Sequence, residues 1–166
     1  MPVPAVSTPD LWSALRTVAR LRFEATCIRP PEWNGTGVGG VRVEAIGDSA
    51  LVFHESGRWT LPGGRELPFS NVFRWTRCLG ADARGAQGNE PAGLRLEHLR
   101  FGPAEPVFLF ELTPQTPGQL VSREPHRCGE DLYAGALRWA PDRVELEWRL
   151  SGSRKQGTIR YLYLPS

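Results

Sequence analysis

A short polar segment near the C-terminus carries the residue types best suited to acid–base chemistry: His126, Asp131 and Tyr133. A histidine can act as a general base, a carboxylate can orient its ring, and a phenol can supply a proton or stabilise an oxyanion. We therefore take these three residues as candidate catalytic residues. The alternative is structural, with His126 and Asp131 bonded to each other or to the backbone where the chain bends.

Cys128 lies two residues after His126, so the two side chains would share one face of a strand. With His98 as a third ligand they would resemble a metal site, and Cys128 alone would resemble a nucleophile activated by histidine. Neither pattern has a recognisable signature, so we predict no metal. The three cysteines are an odd number at wide spacing, which is typical of small buried side chains rather than of a disulfide framework.

A second group of residues is better suited to holding a ligand. His98 and Arg100 alternate in phase with two leucines of the same apparent strand, so all four side chains would point to one face. If the leucines face inward, so do the histidine and the arginine, and buried polar groups are costly unless paired. They would then pair with Glu55 or Glu111, or receive an anionic ligand group. The alternation alone does not decide which face is inward.

Arg154 and Lys155 follow each other in a turn before the last strand. Basic turn residues are usually solvated, but at the mouth of a barrel they would attract a carboxylate or phosphate. The tryptophans either pack the core or line a pocket for a flat ligand. The candidate ligand-binding residues are therefore His98, Arg100, Trp75, Glu55, Trp148, Arg154 and Lys155.

The elements that must position these residues are mostly strands. Residues 1–7 predict a loose arm, and residues 8–20 predict a helix with Thr8 as N-cap and Pro9 in its first turn. From residue 21 to residue 165 the apolar period changes to two, interrupted by turns rich in glycine and proline. This pattern predicts about ten or eleven short antiparallel strands.

A meander of this length must protect its edges, and closure into a barrel removes them. We predict one all-β domain over residues 1–166, an up-and-down barrel of about ten strands with one N-terminal α-helix. The glycine run from Trp33 to Gly40 indicates a curved sheet, because no Gly-Lys-Ser/Thr follows it and the next segment is a strand. The segment from Gly80 to Gly93 has no apolar period and predicts a surface loop.

The composition excludes several classes of function. The chain has 166 residues and a net charge of +2, which is too small and too dispersed to indicate nucleic-acid binding. No apolar run approaches the roughly 20 residues of a membrane-spanning helix. The first residues do not resemble a signal peptide, so we expect a cytoplasmic protein. The sequence leaves the oligomeric state open.

A resemblance to a known family rests on two patterns near the C-terminus. They read His126-x-Cys128-x-x-Asp131-x-Tyr133 and Trp148-Arg149-x-x-Gly152-x-Arg154-Lys155, followed by a tyrosine-rich strand. These patterns resemble the C-terminal signature of an uncharacterised family of small lipocalin-like domains from bacteria and fungi. The segments Phe53–Trp59 and Phe73–Trp75 are also similar to that family, and the resemblance spans most of the chain from Leu21 onward.

This resemblance implies a calycin-type barrel and no particular activity. The chain departs from the family pattern at Ser153, where proline is usual, and at Gln156 and Gly157, where Asp-Tyr is usual. The glycine run that begins at Trp33 is more distantly similar to the opening of nitrobindin-like barrels, which bind haem. We predict no cofactor, with haem as the alternative that this similarity implies.

Our first hypothesis is that the barrel binds a small-molecule ligand, largely apolar, with a polar or anionic head. His98, His126, Arg100 and Tyr133 would make the polar contacts. The second hypothesis is an enzyme of the isomerase, cyclase or hydrolase type, with His126 as a base oriented by Asp131 and with Tyr133 as the acid or oxyanion donor. The third is a partner-binding protein with a filled barrel.

Overall fold

A computed structural model describes residues 8–79 and 91–166. In this part of the chain a helix, α1 (Thr8–Arg16), and a 3-10 turn (Pro31–Trp33) accompany eleven strands. The strands are β1 (Val18–Arg29), β2 (Gly35–Ile46), β3 (Ala50–Thr60), β4 (Glu66–Leu79), β5 (Pro91–His98), β6 (Val107–Thr116), β7 (Gln119–Ser122), β8 (His126–Cys128), β9 (Asp131–Ala140), β10 (Arg143–Ser151) and β11 (Gln156–Pro165).

The strands form a single antiparallel sheet that closes on itself. β11 pairs with β1, and β9 pairs with both β7 and β10, so ten strands surround the interior. The extra strand, β8, pairs with the first residues of β9. It lies on the same side of β9 as β7, which pairs with later residues of that strand. The predicted up-and-down barrel of about ten strands is therefore confirmed, and so is its single N-terminal α-helix.

Helix α1 is shorter than the sequence predicts. It ends at Arg16 rather than at residue 20, because both the amide and the hydroxyl of Thr17 donate to the Ala14 carbonyl and close the last turn. Val18, which fits the helical apolar period, instead begins β1. The predicted arm, residues 1–7, lies outside the described residues.

One end of the barrel is closed by this helix. Leu11, Trp12 and Leu15 are buried against the core where α1 meets β5, β9 and β10. We call this the helix end. The opposite end, which we call the mouth, carries the end of β5 at His98 and the beginning of β9 at Asp131.

Alternate residues of each strand face the interior, as period-two patterning requires. The registers align these inward positions across neighbouring strands, for example Phe53 with Phe73 and Leu146 with Leu137. The core side chains that are almost completely buried nearer the helix end are Leu21, Leu51, Phe53, Trp75, Leu94, Leu96, Leu112, Leu120, Leu137 and Leu146.

The glycine run belongs to one long strand, β2, and its glycines permit close approach inside a curved sheet. A Cβ atom on Gly37 would lie 2.0 Å from the ring of Phe23, and one on Gly39 would lie 2.2 Å from the Ser56 carbonyl oxygen. Of the predicted loop Gly80–Gly93, residues 80–90 lie outside the described residues, whereas residues 91–93 already belong to β5.

Candidate ligand-binding site

The two halves of the barrel interior differ in their contact with solvent. Nearer the helix end, inward-facing residues such as Phe53 and Trp75 are completely buried. Nearer the mouth, five inward-facing side chains remain partly exposed, so solvent-sized space borders them, whereas neighbours such as Tyr133 and Leu150 are buried. The five partly exposed side chains are Phe23, Trp59, Phe69, Trp148 and Ile159, and we call the space they line the recess.

The wall of the recess is a connected set of aromatic rings. The Phe23 ring lies over Gly37, with its centroid 5.2 Å from that of Phe69 and 5.4 Å from that of Tyr161. The Trp148 ring lies 6.2 Å from that of Tyr161. Edge-to-face and offset arrangements of this kind are the geometries that aromatic pairs prefer.

A buried carboxyl group lies at the floor of the recess. Glu55 is 2% exposed, and the Tyr163 hydroxyl donates a hydrogen bond of 2.6 Å to its Oε2 atom. Its Oε1 atom is equally buried and has no hydrogen-bond partner among the described residues. Burial raises the pKa of Glu55 to about 8, although the Tyr163 hydroxyl and the nearby Asn71 side chain act in the opposite direction. Near neutral pH the group is therefore mostly a neutral acid.

A lysine ammonium lies at the rim of the recess. The Lys155 Nζ atom is 2.5 Å from the Tyr133 hydroxyl and 5.2 Å from the ring centroids of both Trp33 and Tyr133. No ion pair within the described part of the chain includes Lys155. A half-buried cation held between two aromatic rings is well placed to attract an anionic group.

Two side chains fix this rim in place. Asp131 is 3% exposed, and its Oδ1 atom accepts hydrogen bonds from the backbone amides of Arg154 (3.0 Å) and Lys155 (3.1 Å). A Cβ atom on Gly152 would lie 2.1 Å from that Oδ1 atom, so glycine makes room for the carboxylate. Asp131 therefore shapes the turn between β10 and β11 that presents Lys155.

Asn34 holds the other side of the rim. Its side chain bonds both the amide and the carbonyl of Cys27, at 2.7 and 2.6 Å, and so ties the Pro31–Trp33 turn to β1. The Trp59 indole donates to the Asn34 carbonyl at 3.3 Å. These bonds position Trp33 next to Lys155.

The predicted catalytic residues have different environments. The register of β8 and β9 pairs His126 with Tyr133, and the His126 ring lies edge-on to Phe108 with a centroid separation of 4.8 Å. Asp131 is engaged by the β10–β11 turn, and no hydrogen bond in the described residues joins it to His126. The structure thus brings His126 and Tyr133 together without the carboxylate that would orient the imidazole.

His98 faces the interior near the mouth. Its ring stacks on Phe73 with a centroid separation of 4.9 Å. Burial, followed by the nearby charge of Arg100, lowers the pKa of His98, which favours a neutral imidazole at neutral pH.

Three predicted ligand contacts lie elsewhere. Arg100 follows the end of β5, where the chain leaves the barrel, and its exposed guanidinium lies 4.9 Å from the Phe101 ring. It does not point inward as the parity predicts. Arg154 is exposed in the β10–β11 turn, and Trp75 is sealed in the core because it lies nearer the helix end. Glu55, His98, Trp148 and Lys155 do border the recess or its floor and rim.

Sequence reasoning missed several residues of the recess. Phe23, Asn71 and Ile159 were not among the predicted contacts, and Tyr163 was not recognised as the partner of Glu55. The alternation of residues along the strands could have identified them. Asn71 alternates in phase with the inward aromatic residues of β4, and Tyr163 alternates in phase with Ile159 in β11.

A groove of about 910 Å³ crosses the outer face of β2, β1, β11, β10, β9 and β7, and its lining also includes Phe23 and Tyr161 from the wall of the recess. Three of its charged side chains pair with one another. Glu147 bonds Arg149 at 2.8 Å and Arg160 at 3.1 Å, and these bonds lower the pKa of Glu147. Mutual pairing of this kind is typical of the solvated face of a strand.

Two further classes of site find no support in the described residues. No group of three or more histidine, cysteine, aspartate or glutamate side chains in residues 8–79 and 91–166 is placed to hold a metal ion. The same part of the chain contains no helix that is long and apolar enough to cross a membrane.

A closed antiparallel up-and-down barrel with a helix across one end is the architecture of lipocalin-like proteins. The chain belongs to DUF6314, a family of unknown function, whose model matches residues 12–165. The predicted membership of an uncharacterised family with this type of barrel is therefore confirmed.

Other comparisons add little to this assignment. A search of curated proteins finds no match. A solved structure described as EF1p2_mFAP2b bound to DFHBI resembles the chain with a TM-score of 0.47 and 13% sequence identity. The alignment covers 95% of this chain and 99% of that chain.

Proposed function

We propose that this protein binds a small, flat, largely apolar molecule in the recess, with an anionic group of that molecule at Lys155. The observation that carries the proposal is the partial exposure of inward-facing aromatic side chains near the mouth, beside a completely buried core near the helix end. Water in contact with Phe23 and Trp148 would be displaced by a ligand. Each 100 Å² of apolar surface removed from water would contribute roughly 2.5 kcal/mol.

Two polar features support a specific orientation of the ligand. The Trp148 Nε1 donor is buried and has no hydrogen-bond partner among the described residues, so a ligand acceptor would satisfy it. The Lys155 ammonium has aromatic neighbours but no carboxylate among the ion pairs of the described residues. An aromatic body with an anionic group at the rim would use both features.

An acid–base enzyme centred on His126 is less well supported. The mechanism predicted from the sequence uses the Asp131 carboxylate to orient the imidazole. The Asp131 carboxylate is occupied by two backbone amides of the β10–β11 turn. We therefore retain ligand binding as the proposed function.

The dye anilinonaphthalene sulfonate tests the proposal, because it combines a flat apolar body with a sulfonate. We expect the native barrel to bind it with enhanced fluorescence. Ile159→Trp should block binding by filling the recess, whereas Val38→Trp, at an outward position that is 57% exposed, should bind the dye as the wild type does. Circular dichroism would verify that both variants fold.

The adjacent basic residues of the turn provide a second matched pair. Lys155→Met should weaken dye binding about tenfold, which corresponds to roughly 1.4 kcal/mol. Arg154→Met should leave it unchanged, because that side chain is exposed and only its backbone amide contacts Asp131. Absence of binding to the wild type, or equal binding by Ile159→Trp, would refute the proposed site.

A further inference from the structure

Glu55 lies where the sealed part of the interior meets the recess. Along β3, Phe53 on one side of it is completely buried, and Trp59, two inward positions on the other side, is partly exposed. The register places Asn71 of β4 directly across from Glu55, and Asn71 is also partly exposed. The carboxyl group therefore lies next to the recess, and the inward position between it and Trp59 on β3 is a glycine, Gly57.

The hydrogen bonds of the carboxyl group are incomplete. The Tyr163 hydroxyl donates to Oε2, so a proton on the acid resides on Oε1. Oε1 is buried and has no partner among the described residues. A buried donor without an acceptor is unfavourable, and a ligand acceptor would remove that cost.

The surroundings of Glu55 favour its neutral form. The groups that face it from neighbouring strands are Val41 on β2, Asn71 on β4, and Tyr161 and Tyr163 on β11. None of them is basic. Burial and the nearby carboxyl group raise the pKa values of both tyrosines well above normal, so they also stay protonated.

We propose that Glu55 determines ligand specificity by donating a hydrogen bond from its protonated Oε1 atom to a carbonyl oxygen of the ligand. This inference rests on the proposed function, because it places the ligand in the recess. The barrel then selects molecules with an acceptor at one end, such as aromatic ketones, aldehydes or esters. Ionisation of Glu55 replaces the donor by a negative charge that repels the carbonyl oxygen, so ligand binding is coupled to proton binding.

The naphthyl ketone dye PRODAN tests this inference, because its carbonyl oxygen is an acceptor and the neutral dye does not titrate near neutral pH. We expect wild-type affinity to be constant below about pH 7 and to fall up to tenfold per pH unit above about pH 9, as the protonated fraction of Glu55 falls. Glu55→Gln keeps a neutral donor, so it should bind within about threefold of the wild type at neutral pH and show no decline at high pH.

A second readout separates hydrogen bonding from packing. Glu55→Met keeps the size of the side chain but has no donor, so bound PRODAN should emit at shorter wavelength than it does in the wild type or in Glu55→Gln. Equal pH dependence of the wild type and Glu55→Gln, or equal emission of all three, would overturn the inference. Failure of the proposed function is distinguishable from this result, since neither PRODAN nor anilinonaphthalene sulfonate would then bind at any pH.

Discussion

The two halves of the barrel interior are built from the same ten strands but reach different packing. Near the helix end, leucines and the Trp75 ring form one buried cluster with the apolar face of α1, and the Arg77 guanidinium lies 5.0 Å from the Trp12 ring. Near the mouth, aromatic rings lie over glycines: Phe23 over Gly37 and Phe69 close to Gly57. The rings there remain partly exposed.

The difference separates a tightly packed half of the interior from a half with partly exposed rings. A helix supplies apolar volume at the helix end, whereas aromatic side chains occupy the interior near the mouth. The mouth depends instead on polar bonds, above all those of Asp131 to the β10–β11 turn. Stability should therefore be concentrated near the helix end, and binding near the mouth.

Two tryptophan substitutions, one in each half of the interior, should give the largest difference in the free energy of unfolding and in dye binding. Trp75→Ala removes a completely buried ring and should lower the free energy of unfolding by about 3–5 kcal/mol. Trp148→Ala removes a partly exposed ring and should cost about half as much or less, but should abolish dye binding. Urea denaturation measures both changes. Equal losses of stability would mean that the two halves are packed alike.

The next largest effect concerns pH. Native Glu55 holds its proton up to about pH 8, whereas the unfolded chain releases it near the ordinary pKa of 4.5. Wild-type stability from this group is therefore complete below pH 4.5 and is lost between that value and about 8. Glu55→Gln has no such loss, so its advantage over the wild type should grow by about 1.4 kcal/mol per pH unit in that range.

Glu147 on the outer face serves as the matched control, because its pKa is shifted in the opposite direction to that of Glu55. Hydrogen bonds to Arg149 and Arg160 lower its pKa, so it stabilises the native state above its ordinary pKa and loses that effect as pH falls. Glu147→Gln should therefore be less stable than the wild type at neutral pH and approach it in acid. Parallel stability curves for the wild type and Glu55→Gln would contradict the buried neutral acid.

Asp131 gives an intermediate effect. Asp131→Ala leaves two backbone amides of the turn without their acceptor and should cost about 2–3 kcal/mol, with weaker dye binding because Lys155 loses its position. Asp131→Asn keeps an amide oxygen as acceptor and should cost less. If Asp131→Ala changed neither stability nor binding, the turn would not organise the mouth.

Lys155 should have the smallest effect on stability. Its ammonium contacts the Trp33 and Tyr133 rings at a half-exposed position, where such contacts contribute about 0.5–1 kcal/mol. Lys155→Met should therefore change the free energy of unfolding by less than about 1 kcal/mol while it weakens binding of the anionic dye. A loss of stability as large as that of Asp131→Ala would assign Lys155 a structural role instead.

The fold could be predicted because its information is local. Alternation along β10, where Val144, Leu146 and Leu150 are buried between exposed charged residues, identifies strand and face together. The end of α1 had no such signal, since Val18 continues the apolar period of the helix. The alternation of residues along β5 suggested that Arg100 faces inward. Because β5 ends at His98, Arg100 lies beyond the strand and does not follow its alternation.

The site was less predictable because its contacts are distant in sequence. Tyr163 lies 108 residues from Glu55, and only the closed barrel brings them together. Asp131 resembled a catalytic carboxylate by its spacing from His126, but its partners are amides 23 and 24 residues further along. Residue type indicates what a side chain can do, whereas its partner depends on the closed fold.

The six tryptophans offer the most direct measurement of the central claim, because three belong to each half. Trp33, Trp59 and Trp148 border the mouth, and Trp12, Trp75 and Trp139 are buried nearer the helix end. Proton–nitrogen NMR spectra resolve each indole N–H, and single Trp→Phe variants would assign the signals.

During a titration with PRODAN, the account predicts that the indole signals of Trp33, Trp59 and Trp148 shift while the other three stay in place. Binding in the outer groove would leave all six unchanged. Shifts that are equal in both groups, or confined to Trp12, Trp75 and Trp139, would contradict a ligand site at the mouth.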